Sequence, residues 1–219
     1  MFKTVIFDWD GTLADTRDAI LFSFHKALKE IDADVSDEQI ERRIGIGSAE
    51  TFRQLLSSQR RPFNESLIRG LVEKKIAAEI SMRNQIRLFP GAMELLHSLS
   101  GKVNLGLASM NNRAVIDELL KATGSKDFFT ATVTADEITL PKPNPEIFLK
   151  TADKLQTSPL QCVVLEDSIF GVKAAKAAKM SCIAVAQSAY SKDELAPAKP
   201  DLIVSSMTEK EAILGFILK

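Results

Sequence analysis

Three apolar runs in this 219-residue chain each stop on polar side chains. Val5-Ile6-Phe7 runs into Asp8, the run from Val103 to Ala108 ends on Ser109, and Cys162-Val163-Val164-Leu165 runs into Glu166-Asp167. The strand candidates are residues 2–8, 103–109, 131–134, 161–166 and 181–185, with Leu202-Ile203-Val204 as a sixth. From about residue 86 onward they alternate with helical stretches, the pattern of a doubly wound parallel (Rossmann-like) α/β sheet. Ligands of such sheets bind outside the carboxyl ends of the strands. Asp8, Ser109 and Glu166-Asp167 all fall at such ends, so the polar endings converge on one expected pocket.

Between the first and second strand the pattern is helical alone. Ile20, Phe24, Leu28 and Ile31 recur at helical spacing, as do Ile68, Val72, Ile76 and Ile80. This block, residues 15–84, is too long for a simple crossover and too apolar for a loop. The expected division is therefore an α/β core of residues 1–14 and 85–219, with a small helical domain of residues 15–84 inserted into it.

Two carboxylates one residue apart, followed by Gly11-Thr12, suit phosphoryl transfer: one Asp can attack phosphorus, the next can carry a proton, and both can help hold a divalent cation. A capped turn after a strand is the plainer reading of Asp8-Trp9-Asp10-Gly11-Thr12. Strand alternation points Trp9 away from the pocket. Ser109, with Asn111 and Asn112 opening a helix, offers a hydroxyl and free N–H groups to a phosphate, or simply caps that helix. Pro141-Lys142-Pro143-Asn144-Pro145 puts one Lys on a stiff base just before a helix from about Glu146 to Leu155; alone, Lys142 reads equally as a solvated charge. Glu166-Asp167 reads as a paired acidic site or as the acidic first turn of a helix. In this order and together, the functional readings outweigh the plain ones.

These residues resemble the haloacid dehalogenase-like hydrolase superfamily, in its phosphoglycolate phosphatase and β-phosphoglucomutase-like subgroup. Asp8 to Thr12 matches its first motif, Ser109 its second, Lys142 its third and Glu166-Asp167 its fourth. Glu166 to Ala175 is similar to the subgroup's acidic pair and small-residue helix, although Lys179 stands where the subgroup usually has Gly. The resemblance implies a Mg²⁺-dependent phosphatase acting on a small phosphorylated metabolite through an aspartyl-phosphate. It makes Asp8 the nucleophile and Asp10 the general acid, with Ser109, Met110 and Lys142 as phosphate-binding residues. The metal ligands it implies are Asp8 and Asp167 directly, Asp10 through its backbone carbonyl, and Glu166 through water. The helical insertion becomes a cap over the pocket, with Arg17, Asp18, Arg43, Gly45, Gly47 and Ser48 as the residues expected to meet the leaving group. Solvated loop charges and a helix–helix turn are the plainer readings of these cap residues.

Departures from the family narrow the reaction. Asp10 argues against a haloacid dehalogenase or phosphonoacetaldehyde hydrolase, which lack an acid there. The related mutases carry a His where this chain has Ile20, and an Arg just after the cap-loop glycines, where Arg43-Ile44-Gly45-Ile46-Gly47-Ser48 has none. Hydrolysis is thus expected over a phosphomutase, and a non-catalytic phosphate-binding module is the remote alternative, since Asp8, Asp10 and Lys142 are all present.

Composition supports an enzyme of one core. A chain with 45% hydrophobic residues can bury a full interior. A net charge of −1 and isolated basic doublets at Arg42-Arg43 and Arg60-Arg61 exclude a basic nucleic-acid surface. No apolar run has membrane-spanning length, so neither a membrane nor a nucleic acid is expected as partner, and a cytoplasmic location is the expectation. Cys162 and Cys182 sit in apolar runs as core residues. His25 and His97, alone on helical patterns, exclude a His-based zinc or triad site.

Overall fold

The computed structural model describes residues 1–219. Its strands are β1 (Thr4–Phe7), β2 (Ala14–Asp15), β3 (Arg87–Leu88), β4 (Asn104–Ser109), β5 (Ala131–Thr134), β6 (Cys162–Glu166), β7 (Ser181–Val185) and β8 (Leu202–Val204). Six of them form one parallel sheet in the order β5-β4-β1-β6-β7-β8. Strand β1 is central, and Phe7 is level with Leu107 of β4 and Leu165 of β6. That register brings Asp8 and Glu166, each one residue further on, to the same edge. The chain leaves β1 toward β4 on one side and later returns to β6 on the other, which opens the crevice where such sheets bind ligands.

Alternation along β1 divides the interior into two faces. Val5, Phe7 and Trp9 join a cluster with Leu95, Leu119 and Ile213 on one face. Ile6 joins Val164, Phe148 and Val172 on the other. Trp9 is fully buried in the first cluster and takes no part in the pocket, as its parity predicts. Cys162 and Cys182 are buried and unbridged in the second.

Four helices, α1 (Arg17–Leu28), α2 (Asp37–Glu41), α3 (Ser48–Ser58) and α4 (Glu65–Ser81), lie between β2 and β3. They surround their own apolar centre, built from Ile20, Phe24, Leu28, Phe52, Leu55, Ile68 and Leu71 among others. The chain enters and leaves this helical block side by side, because β2 and β3 pair antiparallel. Across from it, the end of α2 meets the sheet domain: Arg42 Nη1 donates to Glu194 Oε1 at 2.7 Å, and Tyr190 Oη donates to the Arg42 carbonyl at 3.0 Å. His25 pairs with exposed Asp37 and His97 packs edge-on against Phe128, both as surface and packing groups.

One expectation changes on α4. The row Ile68, Val72, Ile76, Ile80 is not its buried stripe; the fully buried positions are Ile68, Leu71, Lys75, Ala78 and Glu79. Val72, Ile76 and Ile80 are only partly buried against two different clusters. The helix is wedged between these clusters, and its innermost line carries an ion pair.

The remaining helices are α5 (Ala92–Leu99), α6 (Arg113–Thr123), α7 (Glu146–Lys154), α8 (Ile169–Ala177), α9 (Lys192–Leu195) and α10 (Lys210–Ile217). Helix α8 closes in a Schellman motif, with Met180 N–H bonded to the Ala175 carbonyl and Lys179 N–H to that of Lys176, both at 3.0 Å. The motif forces Lys179 to φ 60°, a left-handed conformation that strains a side chain with a Cβ. Replacing it by glycine, Lys179→Gly, should therefore stabilise the protein by roughly 1 kcal/mol and raise Tm by about 2–4 °C. A lower Tm for the variant in thermal unfolding would refute strain at this helix end.

Candidate active site

Each side chain of the site is delivered by the end of an element. Asp8 follows β1, Ser109 ends β4, Glu166 ends β6, and Asp167 begins the turn into α8. Lys142 lies in the proline-rich segment ahead of α7, and its ammonium is fully buried over the Phe148 ring. There it donates to Asp8 Oδ1 at 2.7 Å and to Glu166 Oε1 at 2.6 Å. The other Glu166 oxygen accepts from the Ser168 backbone N–H and hydroxyl, each at 2.9 Å. Ser168 in turn caps α8 by accepting from Gly171 N–H. A Cβ at Gly171 would collide with the Glu166 carboxylate, so this glycine is what lets the acid lie against the helix.

Asp167 is held from two sides. Thr12 donates to its Oδ1 at 3.0 Å and Ser188 donates to its Oδ2. Gly11, at φ 84°, passes so close to this carboxylate that any side chain there would strike it. Gln187 fastens the same loop through a 2.7 Å bond to the Thr12 carbonyl. Oxygens of Asp8, Glu166 and Asp167 lie within 4.8 Å of one another, close enough to share a divalent cation.

The Asp10 carboxylate stands outside that trio. Ser109 Oγ donates to its Oδ2 at a long 3.4 Å, and Ser109 Oγ also accepts from Asn111 N–H at 3.0 Å. Beyond Asp10 the wall belongs to the helical block: Arg43, Gly45, Gly47, Ser48, Ile20 and Lys75 line one cavity with Asp10, and Met110 closes it from the sheet side. Arg17 and Asp18 do not join it. Arg17 pairs with Asp18 and Glu41 and lines a separate cleft beside Ser188, while the Asp18 side chain is 87% exposed.

The electrostatics follow from burial. Asp8 has its pKa pushed well above the ordinary value by burial, which outweighs the pull of Lys142, with Glu166 and Asp167 adding to the rise. Asp167 is pushed up to about 7 by burial and by Glu166. Asp10 is pushed up to about 6 by burial and then by Glu79, against the opposing pull of Lys75. Burial works against the charge of Lys142, but Asp8 and Glu166 outweigh it and hold the ammonium protonated. One buried cation, Lys142, thus serves the three buried carboxylates Asp8, Glu166 and Asp167. The site is short of positive charge in the way a metal-binding phosphate site is.

Comparison with known proteins agrees with this geometry. A family model described as haloacid dehalogenase-like hydrolase matches residues 5–185. The chain belongs to that family. Hexitol phosphatase B of Escherichia coli is 32% identical over 210 residues, covering 94% of this chain and 93% of that protein. The β-phosphoglucomutase of Bacillus subtilis is 30% identical over 191 residues, covering 84% of each. Among solved structures, a hydrolase from Pseudomonas syringae superposes with a TM-score of 0.90 at 26% identity, over 98% of this chain and 99% of that one. No helix of this hydrolase is long and apolar enough to cross a membrane.

Several residues of the site lie outside the motifs. Lys75 and Glu79 form a buried ion pair on α4, and Asn111 bonds both, accepting from Lys75 at 3.1 Å and donating to Glu79 at 2.7 Å. Their signal was present in the sequence as two charges, four apart, on the stripe that Ile68 and Leu71 begin. Ser188 and Gln187 follow β7 with no local pattern to mark them.

The raised carboxyls make the metal-free protein sensitive to pH. Between about pH 4 and pH 7 the folded chain keeps protons on Asp10, up to about 6, and on Asp167, up to about 7, that the unfolded chain, near the ordinary aspartate value of about 3.9, has lost. Stability therefore falls as pH rises through this window. The lowered glutamates Glu137, Glu146 and Glu209 act only below it. With chelator present, Tm should be higher at pH 5.5 than at pH 8, and a divalent cation held by Asp8, Glu166 and Asp167 should flatten the slope. A metal-free Tm that climbs toward pH 8 would contradict this balance of buried charge.

Proposed function

We propose that this chain is a Mg²⁺-dependent phosphatase that hydrolyses a small phosphorylated metabolite through an aspartyl-phosphate. The observation that carries the reading is the buried Lys142 ammonium held between Asp8 and Glu166, at the strand ends where Asp167 also lies. The helical block, residues 15–84, acts as a cap.

Asp8 attacks the phosphorus atom with one carboxylate oxygen, and the bond to the leaving oxygen breaks. Asp10, whose pKa burial and Glu79 raise to about 6, gives its proton to that leaving oxygen; as a carboxylate it then takes a proton from the water that cleaves the aspartyl-phosphate. Lys142 fixes the attacking carboxylate and meets the phosphoryl oxygens, and Ser109 offers a hydroxyl to one of them. Asp8, Glu166 and Asp167 would hold the cation, with the Asp10 carbonyl as a further ligand, and their clustered, proton-seeking oxygens fit a hard divalent ion. When bound, Mg²⁺ would supply neutralisation of charge on the phosphoryl group. Catalysis of this kind rests mostly on positioning and charge stabilisation.

Similarity to a β-phosphoglucomutase keeps phosphoryl transfer between sugar positions as the second reading. Against it, Ile20 lines the cavity beside Asp10 and has no group to exchange a proton.

Phosphate release from a panel of phosphorylated metabolites with Mg²⁺ should be abolished by chelator. Asp8→Asn should lower it on the order of a thousandfold or more, and Lys142→Met by about 10²–10³-fold. Isomerisation of a sugar phosphate without phosphate release would favour the mutase. Neither activity with any substrate would sink the proposal.

Asp10→Asn separates the two chemical steps. On p-nitrophenyl phosphate, whose leaving group needs little protonation, it should give a burst of about one equivalent of nitrophenolate and then slow turnover. Linear release at the wild-type rate would remove Asp10 from the mechanism.

A further inference from the structure

Every charged group of the site is sealed in the docked arrangement. Asp8, Asp10, Lys142, Glu166 and Asp167 are each at most 9% exposed, so the helical block must lift before a ligand reaches them. The block is built to move as a unit. It has its own apolar centre and joins the sheet domain through the paired strands β2 and β3. What holds it down therefore decides access.

Away from the linkers, side-chain bonds from the block to the sheet domain fall into two groups. On α4, Lys75 and Glu79 bond Asn111, and Arg83 pairs with Glu118 at 3.5 Å. At the end of α2, Arg42 alone carries the second group. Its Nη1 donates to Glu194 Oε1 at 2.7 Å and to the Ala189 carbonyl at 3.4 Å. Its guanidinium lies 5.3 Å from the centre of the Tyr190 ring, and its own carbonyl accepts from Tyr190 Oη at 3.0 Å.

The receiving side is built without help from Arg42. The other oxygen of Glu194 accepts from the N–H and hydroxyl of Ser191, each at 2.9 Å, in the capping box of α9. Ala189 N–H donates to Ser188 Oγ, which donates to Asp167, so this loop is anchored on the site itself. The two groups differ in burial. Lys75 and Glu79 are buried, whereas the Arg42 and Glu194 side chains are 42% and 41% exposed. An ion pair this exposed is weak and screened by salt, and both partners return to water when it parts.

We infer that Arg42, Tyr190 and Glu194 form a salt-sensitive clasp between the helical block and the sheet domain, whose release opens the buried site. None of the three lines the cavity beside Asp10, so they act on access and leave the reacting groups alone. The clasp stands whatever chemistry the site performs.

Hydrogen exchange of the full chain, read peptide by peptide, reports rare openings whatever their population. The informative amides are those of Asn111 and Ser168, which lie under the block beside Glu79 and Gly45. Arg42→Gln and Glu194→Gln should each speed their exchange by about three- to fivefold. Tyr190→Phe should do so by less, and Arg42→Lys should recover part of the protection. The strand amides of Val164 and Ile183 should keep the wild-type rate, which separates opening from loss of stability. Raising sodium chloride from about 0.05 M to about 0.5 M should speed Asn111 and Ser168 in the wild type and change them little in Arg42→Gln. Unchanged exchange at these two amides in both charge variants, an equal rise in the strand amides, or a wild type indifferent to salt overturns the clasp.

Discussion

A single ammonium group buried among carboxylates sets the terms for this molecule. Lys142 Nζ is within 2.7 Å of Asp8 and 2.6 Å of Glu166, and no water-exposed route relieves the charge on any of the three. Removing one partner of such a buried pair costs about 3–5 kcal/mol where the other stays ionised. The arrangement is therefore an obligation on the fold: β1, β6 and the segment before α7 must meet at one point. The parallel register that levels Phe7 with Leu165 meets it from the sheet. The prolines around Lys142 meet it from the loop, by limiting the backbone on either side of the cation.

The obligation extends to small residues. Gly171 leaves room for the Glu166 carboxylate against α8, and Gly11 leaves room for Asp167. Thr12 and Ser188 then bond Asp167 without adding charge. The carboxylates are fixed by neutral donors and packed backbone, and only one cation is built in. This keeps the oxygens of Asp8, Glu166 and Asp167 short of compensation, a setting that can hold a divalent cation.

Much of this was legible in the sequence because strand and function share a grammar. A run such as Val5-Ile6-Phe7 announces a buried strand, and the residue after it must sit at the sheet edge, so Asp8 and Glu166 could be placed by counting. Trp9 was placed by parity alone. The limit came on α4, where an apolar row at spacing four pointed to Ile68, Val72, Ile76 and Ile80. A helix wedged between two clusters has no single apolar stripe, and its innermost line includes Lys75 and Glu79. Periodicity assumes that buried means apolar, and it fails where a buried ion pair is the contact. Arg17 and Asp18 lie elsewhere than the cavity beside Asp10: Arg17 pairs with Glu41 and Asp18 and lines the neighbouring cleft with Gly11 and Ser188.

The Lys75–Glu79 pair also ties proton chemistry to the position of the helical block. After burial, Glu79 is the strongest influence raising Asp10, and Lys75 is the next, lowering it. Both side chains ride on α4, whereas Asp10 and Asn111 belong to the sheet side, so the balance on Asp10 exists only when the two sides are docked. Lifting the helices would expose Asp10 to water and remove Glu79 together, and both changes lower its pKa toward the ordinary aspartate value. In the docked arrangement burial and Glu79 together hold the Asp10 carboxyl above its ordinary range. The same docking brings Arg43 and Lys75 to the cavity beside Asp10. The make-up of that cavity and the balance of charge on Asp10 thus both depend on how the helical block meets the sheet side, through Lys75 and Glu79 on Asn111 and through Arg42 on Glu194.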